Sequence, residues 1–242
     1  MSGHSKWNNI KRTKGKADAL KAASFTKIGR ELAVAVKVGG ADPSSNSRLR
    51  DVIAKAKAAN IPNDNIQRSI KKASGELGAI NYETVVYEGY GPAGSAVLVE
   101  TLTDNRNRTV SDVRHLFDKY GGSLGTTGCV SFMFDTKGVL IAEKRKSDDD
   151  DGVMMLAIDA GAEDFSPEGD VYEILTAPSD LEKVREALAA GGMNILSGGA
   201  ERIAQNFIDL SPEDAARYET LIEKLEELDD VQNVYSNVNE NE

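Results

Sequence analysis

The sequence predicts an α+β multidomain protein: an N-terminal three-helix domain followed by two ferredoxin-like α+β domains, the last inserted in the middle one. Three observations lead there. Apolar residues recur at helical spacing up to about residue 75 and then switch to alternation. Charge divides at the same place: residues 1–75 hold 16 Lys/Arg against 5 Asp/Glu, a net of +11, whereas residues 76–242 hold 13 against 34, a net of −21. After residue 81 the turn and capping signals space out strands and helices in an order that contains one whole βαββαβ set.

The helical part begins with a basic arm and then a helix over Ala17 to Val38, with Phe25, Ile28, Leu32, Ala35 and Val36 on one face and Lys27, Arg30 and Lys37 on the other. Gly39-Gly40 stops it. A second helix is expected from about Ser47 to Asn60, its apolar stripe of Leu49, Val52, Ile53 and Ala56 flanked by Arg48, Arg50, Lys55 and Lys57. A third follows Pro62-Asn63, with Ile66 and Ile70 inward, Arg68, Lys71 and Lys72 clustered, and Gly75 as its stop.

Beyond a linker at 75–81, strands are expected at Thr84 to Tyr90 and Ser95 to Thr103, joined by Gly91-Pro92-Ala93-Gly94. Thr109-Val110-Ser111-Asp112 resembles a capping box and opens a helix closed by Gly121-Gly122. Cys129 to Phe134 and Val139 to Glu143 read as strands around an Asp135-Thr136-Lys137-Gly138 turn. Ser147 starts a helix to about Ala160; strands follow near Glu163 to Phe165 and Val171 to Thr176; Ser179-Asp180-Leu181-Glu182 opens another helix, ended by Gly191-Gly192. Ser211-Pro212 begins a last helix carrying Tyr218, Leu221, Leu225 and Leu228, before a strand at Val231 to Tyr235. Residues 138–206 thus make a complete ferredoxin-like βαββαβ domain. The expected division is 1–78 for the basic arm and helical domain, 82–135 with 207–238 for a split α+β domain, and 138–206 for the insertion.

Several motifs dissolve in context. Gly89-Tyr90-Gly91-Pro92-Ala93-Gly94 matches G-x-G-x-x-G, but a strand follows where a phosphate-binding helix should start. Gly121-Gly122-Ser123-Leu124-Gly125 matches G-x-S-x-G in the reverse context of a nucleophile elbow, with both histidines, His4 and His115, preceding Ser123. The run Asp148 to Asp151 before Gly152 fails as a calcium loop, because Ser147 and Ile158 fall where carboxylates are needed; it reads as first-turn charge on a helix. The single cysteine, Cys129, reads as a small core residue. No metal or other cofactor, no small-molecule substrate and no catalytic residue is expected. With no apolar run long enough to span a bilayer and no leader pattern, a cytoplasmic protein without membrane association is expected.

The basic module carries the functional signal. Lys6, Lys11, Arg12, Lys14, Lys16, Lys27, Arg30, Arg48, Arg50, Lys55, Lys57, Arg68, Lys71 and Lys72 are candidate phosphate contacts, since such cations bind by releasing counterions. Trp7, the sole tryptophan, lies among them and either stacks on a base or docks on the core. Arg106 and Arg108, near a helix N-terminus, form a second candidate anion contact. Gly3-His4-Ser5-Lys6-Trp7, Phe25-Thr26-Lys27-Ile28, Tyr87-Glu88-Gly89-Tyr90-Gly91-Pro92 and Asp104-Asn105-Arg106-Asn107-Arg108-Thr109 together resemble the YebC family over nearly the whole chain.

The resemblance implies a helical domain and two α+β domains, one inserted in the other. It also implies DNA-binding transcriptional regulation or ribosome-associated translation activity, with mitochondrial translational activators among the relatives and no enzymatic activity. The expected function is therefore a non-enzymatic nucleic-acid-binding regulator whose partner is duplex DNA, ribosomal RNA or the ribosome. The alternatives are a metal-dependent enzyme using the Asp148 run and a protein-binding adaptor acting through the acidic domains.

Overall fold

The computed structural model describes residues 19–75 and 81–239 of the chain. These fall into two compact units: one holds 19–75, 81–131 and 210–236, and the other holds 132–209 and 237–239. The second unit therefore interrupts the first along the sequence. An N-terminal helical domain and two four-stranded antiparallel sheets flanked by helices make up the fold, as the periodicity predicts.

In the first unit, helices α1 (Ala19–Gly39), α2 (Ser47–Ala58) and α3 (Asn63–Ala73) close around Ile28, Leu32, Leu49, Ile66 and Ile70. Buried Asn46 fastens the turn between α1 and α2. Its side-chain carbonyl accepts from Leu49 N at 3.0 Å, and its amide donates to Ala35 O and Gly40 O, so chain reversal leaves few orphan groups.

The same unit contains β1 (Glu83–Tyr90), β2 (Ala96–Thr103), α4 (Arg106–Lys119), the short β3 (Ser123–Leu124), α7 (Pro212–Glu227) and β8 (Val231–Ser236). Its sheet order is β3-β1-β2-β8. The β1–β2 hairpin closes at the Tyr90–Ala96 pair through a short 3-10 turn over Pro92–Gly94. The buried stripes of α4 (Val113, Phe117) and α7 (Tyr218, Leu221, Leu225) meet each other and this sheet. At Gly89, β3 and α4 press close on β1: a Cβ there would lie 2.6 Å from Ser123 O and 2.7 Å from the Phe117 ring.

The second unit holds β4 (Phe134–Glu143), α5 (Asp150–Ala160), β5 (Ala162–Glu168), β6 (Val171–Thr176), α6 (Leu181–Ala190) and β7 (Ile195–Ala204). The order β5-β6-β4-β7, antiparallel throughout, is the ferredoxin-like arrangement of a βαββαβ chain. Leu140, Ala142, Tyr172 and Ile174 pack with Ala157, Val184 and Leu188 of the helices, while Val139 and Ile141 point to the opposite face and are also buried.

Four local expectations are corrected. Asp135-Thr136-Lys137-Gly138 is not a turn but the first half of β4, paired residue for residue with β7. Its glycine answers a close approach instead, since a Cβ at Gly138 would lie 2.2 Å from Thr176 Oγ1 and 3.1 Å from Leu181. Cys129 lies in the loop before β4 rather than in a strand. Helix α4 starts at Arg106, not Thr109, because the Asn105 side chain caps it by accepting from Arg108 N at 3.1 Å. Helices α5 and α6 begin at Asp150 and Leu181, with no side-chain cap bond at Asp149 or Asp180, so the Ser147 and Ser179 caps do not form.

Candidate nucleic-acid interface

The apolar stripes of α2 and α3 bury against α1, which turns the flanking cations outward. Arg48, Arg50, Lys57, Arg68, Lys71 and Lys72 are exposed, and among the described residues none has an ion-pair partner. The helical register spaces them: Arg50 and Lys57 stand two turns apart on one flank of α2, and Arg68 and Lys71 share an outer face of α3. Long stems under charged heads suit such residues to reach phosphates. Lys55 is also exposed but bonds Glu31 of α1 at 2.7 Å. Lys6, Trp7, Lys11, Arg12, Lys14 and Lys16 lie outside the described residues.

Lys27 and Arg30 have internal partners instead. Lys27 Nζ donates to Glu226 O at 2.6 Å, and burial pushes its ammonium below the ordinary lysine value, against the opposing pull of Glu226 and Asp229. Arg30 donates to Leu102 O at 3.2 Å, pairs with Asp230 Oδ1, and lies over the Tyr82 ring at 5.6 Å. These contacts join α1 to β2 and to the α7–β8 turn.

Asp230 is the centre of that junction. Besides Arg30 it accepts from Arg108 at 2.9 and 3.1 Å, from Thr109 Oγ1 at 2.6 Å and from Thr103 Oγ1 at 3.2 Å. It is 6% exposed. Burial raises its pKa, but the bonds from Thr109 and Arg108 and the charge of Arg30 outweigh burial and hold the carboxyl below the usual range. Thr109, expected to cap a helix from outside, lies inside α4 and spends its hydroxyl here.

This geometry separates the two arginines of the second candidate contact. Arg108 is bonded to Asp104 at 2.8 Å and to Asp230, which together raise its pKa further. It lines an open cleft of about 540 Å³ with Arg30 and five carboxylates, Asp104, Asp112, Glu227, Asp229 and Asp230, a lining that repels phosphate. Arg106 remains exposed and among the described residues pairs with Glu83 alone, at 3.8 Å.

Sequence reasoning missed both Asp230 and Glu88. Glu88 is 4% exposed and has no ion pair among the described residues; its two oxygens accept from Gly128 N at 2.7 Å, Val130 N at 3.0 Å and Ser131 N at 2.8 Å, latching the loop before β4. Burial raises this carboxyl too, yet the backbone donors win and its pKa is lowered. No local signal marks Glu88, because burial along β1 does not alternate: Glu88 and its neighbour Gly89 are both buried.

The acidic run before α5 is divided among separate partners. Asp148 bonds Arg145 through both N and Nε, and Asp150 takes Lys144 at 2.7 Å and the Tyr172 hydroxyl at 2.5 Å. Among the described residues no three His, Cys, Asp or Glu side chains are grouped to hold a metal ion, and no helix is long and apolar enough to cross a membrane.

Residues 5–76 match the TACO1/YebC protein N-terminal domain and residues 82–238 match the TACO1/YebC second and third domain. A probable transcriptional regulatory protein of Acetivibrio thermocellus is 59% identical over 238 residues, which cover 98% of each chain. Another, from Thermoanaerobacter pseudethanolicus, is 56% identical over 98% of this chain and 97% of its own length. The crystal structure of a conserved hypothetical protein, Aq1575, from Aquifex aeolicus superposes with a TM-score of 0.83 at 43% identity, covering 91% of both chains.

Proposed function

The chain belongs to the TACO1/YebC family, and from that premise we propose that it is a non-enzymatic cytoplasmic regulator of gene expression that binds nucleic acid through its helical domain. One observation carries this reading. In a chain of net charge −10, Arg48, Arg50, Lys57, Arg68, Lys71 and Lys72 of α2 and α3 are exposed without ion-pair partners among the described residues, whereas Lys27 and Arg30 are bonded internally, to the Glu226 carbonyl and to Asp230. Arg48, Arg50, Lys57, Arg68, Lys71 and Lys72 grip phosphates; Lys55, Arg106 and the arm cations Lys6, Lys11, Arg12, Lys14 and Lys16 extend the contact, with Trp7 available to stack on a base. Lys27 and Arg30 are taken up in joining α1 to β2 and to the α7–β8 turn, with Arg108 sharing Asp230, so these three are not counted among the phosphate contacts.

The names of the relatives favour transcription, and cations that read backbone rather than base edges serve duplex DNA and structured RNA alike. Competition between the two targets tests this. Wild-type protein and a variant with the six α2 and α3 cations changed to Ala are mixed with ribosomes and labelled duplex DNA at one physiological salt concentration. The wild type should be retained by one target in competition and the variant by neither; equal retention of both proteins would remove the proposal.

A further inference from the structure

Helix α5 is apolar on both sides. Val153, Leu156, Ala157 and Ala160 face the second unit's sheet, which leaves Met155 and Ile158 on the opposite side, 63% and 53% exposed. They are two of only six large hydrophobic side chains exposed among the described residues, and they stand one turn apart on one face. An apolar pair on the outer side of a helix whose inner side is already packed is a surface that a partner can cover. Within α5 the charge has one sign: Asp151 lies one turn before Met155, Asp159 one turn after it, and the helix contains no Lys or Arg. Asp148 and Asp150 have internal partners, whereas Asp151 and Asp159 project from the helix with Met155 and Ile158.

We infer that this face of α5 docks a basic amphipathic helix of a protein partner. The partner's apolar stripe covers Met155 and Ile158, and its Lys or Arg side chains reach Asp151 and Asp159. A methionine in the centre suits a surface that adapts to its ligand. A second copy of this chain is a poor occupant, because an isologous α5–α5 contact would bring the same aspartates together in a low-dielectric seam. Nucleic acid is excluded by the same charges. The inference stands apart from the nucleic-acid reading, since it concerns the other unit and charge of the other sign.

The probe is a labelled 14-residue Leu/Lys peptide with leucines at helical spacing, compared with an isomer of equal composition whose leucines are dispersed. Fluorescence anisotropy is read with the full chain, M155Q/I158Q and D151N/D159N in about 0.15 M salt. The helical peptide should bind the wild type about tenfold or more tightly than the isomer, the scale set by burying two large apolar side chains. M155Q/I158Q should lose that advantage, and D151N/D159N should lose affinity and salt dependence. Unchanged helix melting keeps both variants interpretable. The inference is overturned if M155Q/I158Q binds the helical peptide as the wild type does, or if sedimentation shows a wild-type dimer that M155Q/I158Q converts to monomer. Duplex DNA binding, measured on the same variants, should not change.

Discussion

Changing Asp230 to Asn should cost the first unit about 3 kcal/mol, the low end for removing one partner of a buried ion pair. The low end applies because the two arginines differ in what they can do afterwards. The Arg108 side chain is 46% exposed and turns to water or to Asp104. The Arg30 side chain is 12% exposed, its Nε already lacks a partner, and its charge stays behind with Leu102 O, the Tyr82 ring and at most the neutral amide oxygen that replaces the carboxylate. With a urea slope of about 2 kcal/mol/M, the unfolding midpoint should fall by about 1.5 M.

The pH dependence gives a second reading of the same group. The folded Asp230 carboxyl titrates below its unfolded value of about 3.9, so its stabilisation is complete above that value and is lost as pH falls through the depressed folded pKa. The gap between wild type and Asp230→Asn should therefore be constant from about pH 8 to 5 and narrow below about pH 4. Arg108→Ala, which removes a half-exposed pair, should cost under about 1 kcal/mol. A midpoint shift below about 0.3 M for Asp230→Asn, or a gap that persists undiminished at about pH 3, would refute the junction.

Three further outcomes follow from single contacts. Glu88→Gln turns an NH2 toward at least one backbone N–H, at a cost of about 2 kcal/mol, and the amides of Gly128, Val130 and Ser131 should exchange faster; unchanged protection would show that the latch is unimportant. Because the folded Glu88 carboxyl is also depressed, its contribution is full above the unfolded value of about 4.3 and disappears as pH falls through the folded pKa, which acid titration of the same amides should show. Gly138→Ala drives a methyl group into Thr176 and Leu181 and should destabilise the second unit by about 2 kcal/mol, while a neutral outcome would mean that α6 shifts freely.

What could be read from the sequence was whatever depends on near neighbours. Ile66 and Ile70 at helical spacing declare their element because the same few residues both set and satisfy the pattern. Asp135-Thr136-Lys137-Gly138 deceived because its composition is turn chemistry, whereas its glycine is required by Thr176 and Leu181, side chains about forty positions away. Asn105 and Thr109 are both good caps on paper; Asp230, 121 residues beyond Thr109, decides between them by claiming the Thr109 hydroxyl. The cations divide in the same way. The outward stance of Arg48 or Arg68 follows from the register of its own helix, but Lys27 and Arg30 find their partners 199 and 200 residues further on, beyond any local pattern.

The proposed grip of the six unpaired α2 and α3 cations on phosphates is best tested through the salt dependence of binding. If Arg48, Arg50, Lys57, Arg68, Lys71 and Lys72 each neutralise a phosphate, they contribute about −5 to the slope of log affinity against log salt on duplex DNA and about −4 on a single strand. Changing all six to Ala should make the measured slope shallower by that amount. A slope equal in wild type and variant, or a flat one in the wild type, would contradict the account.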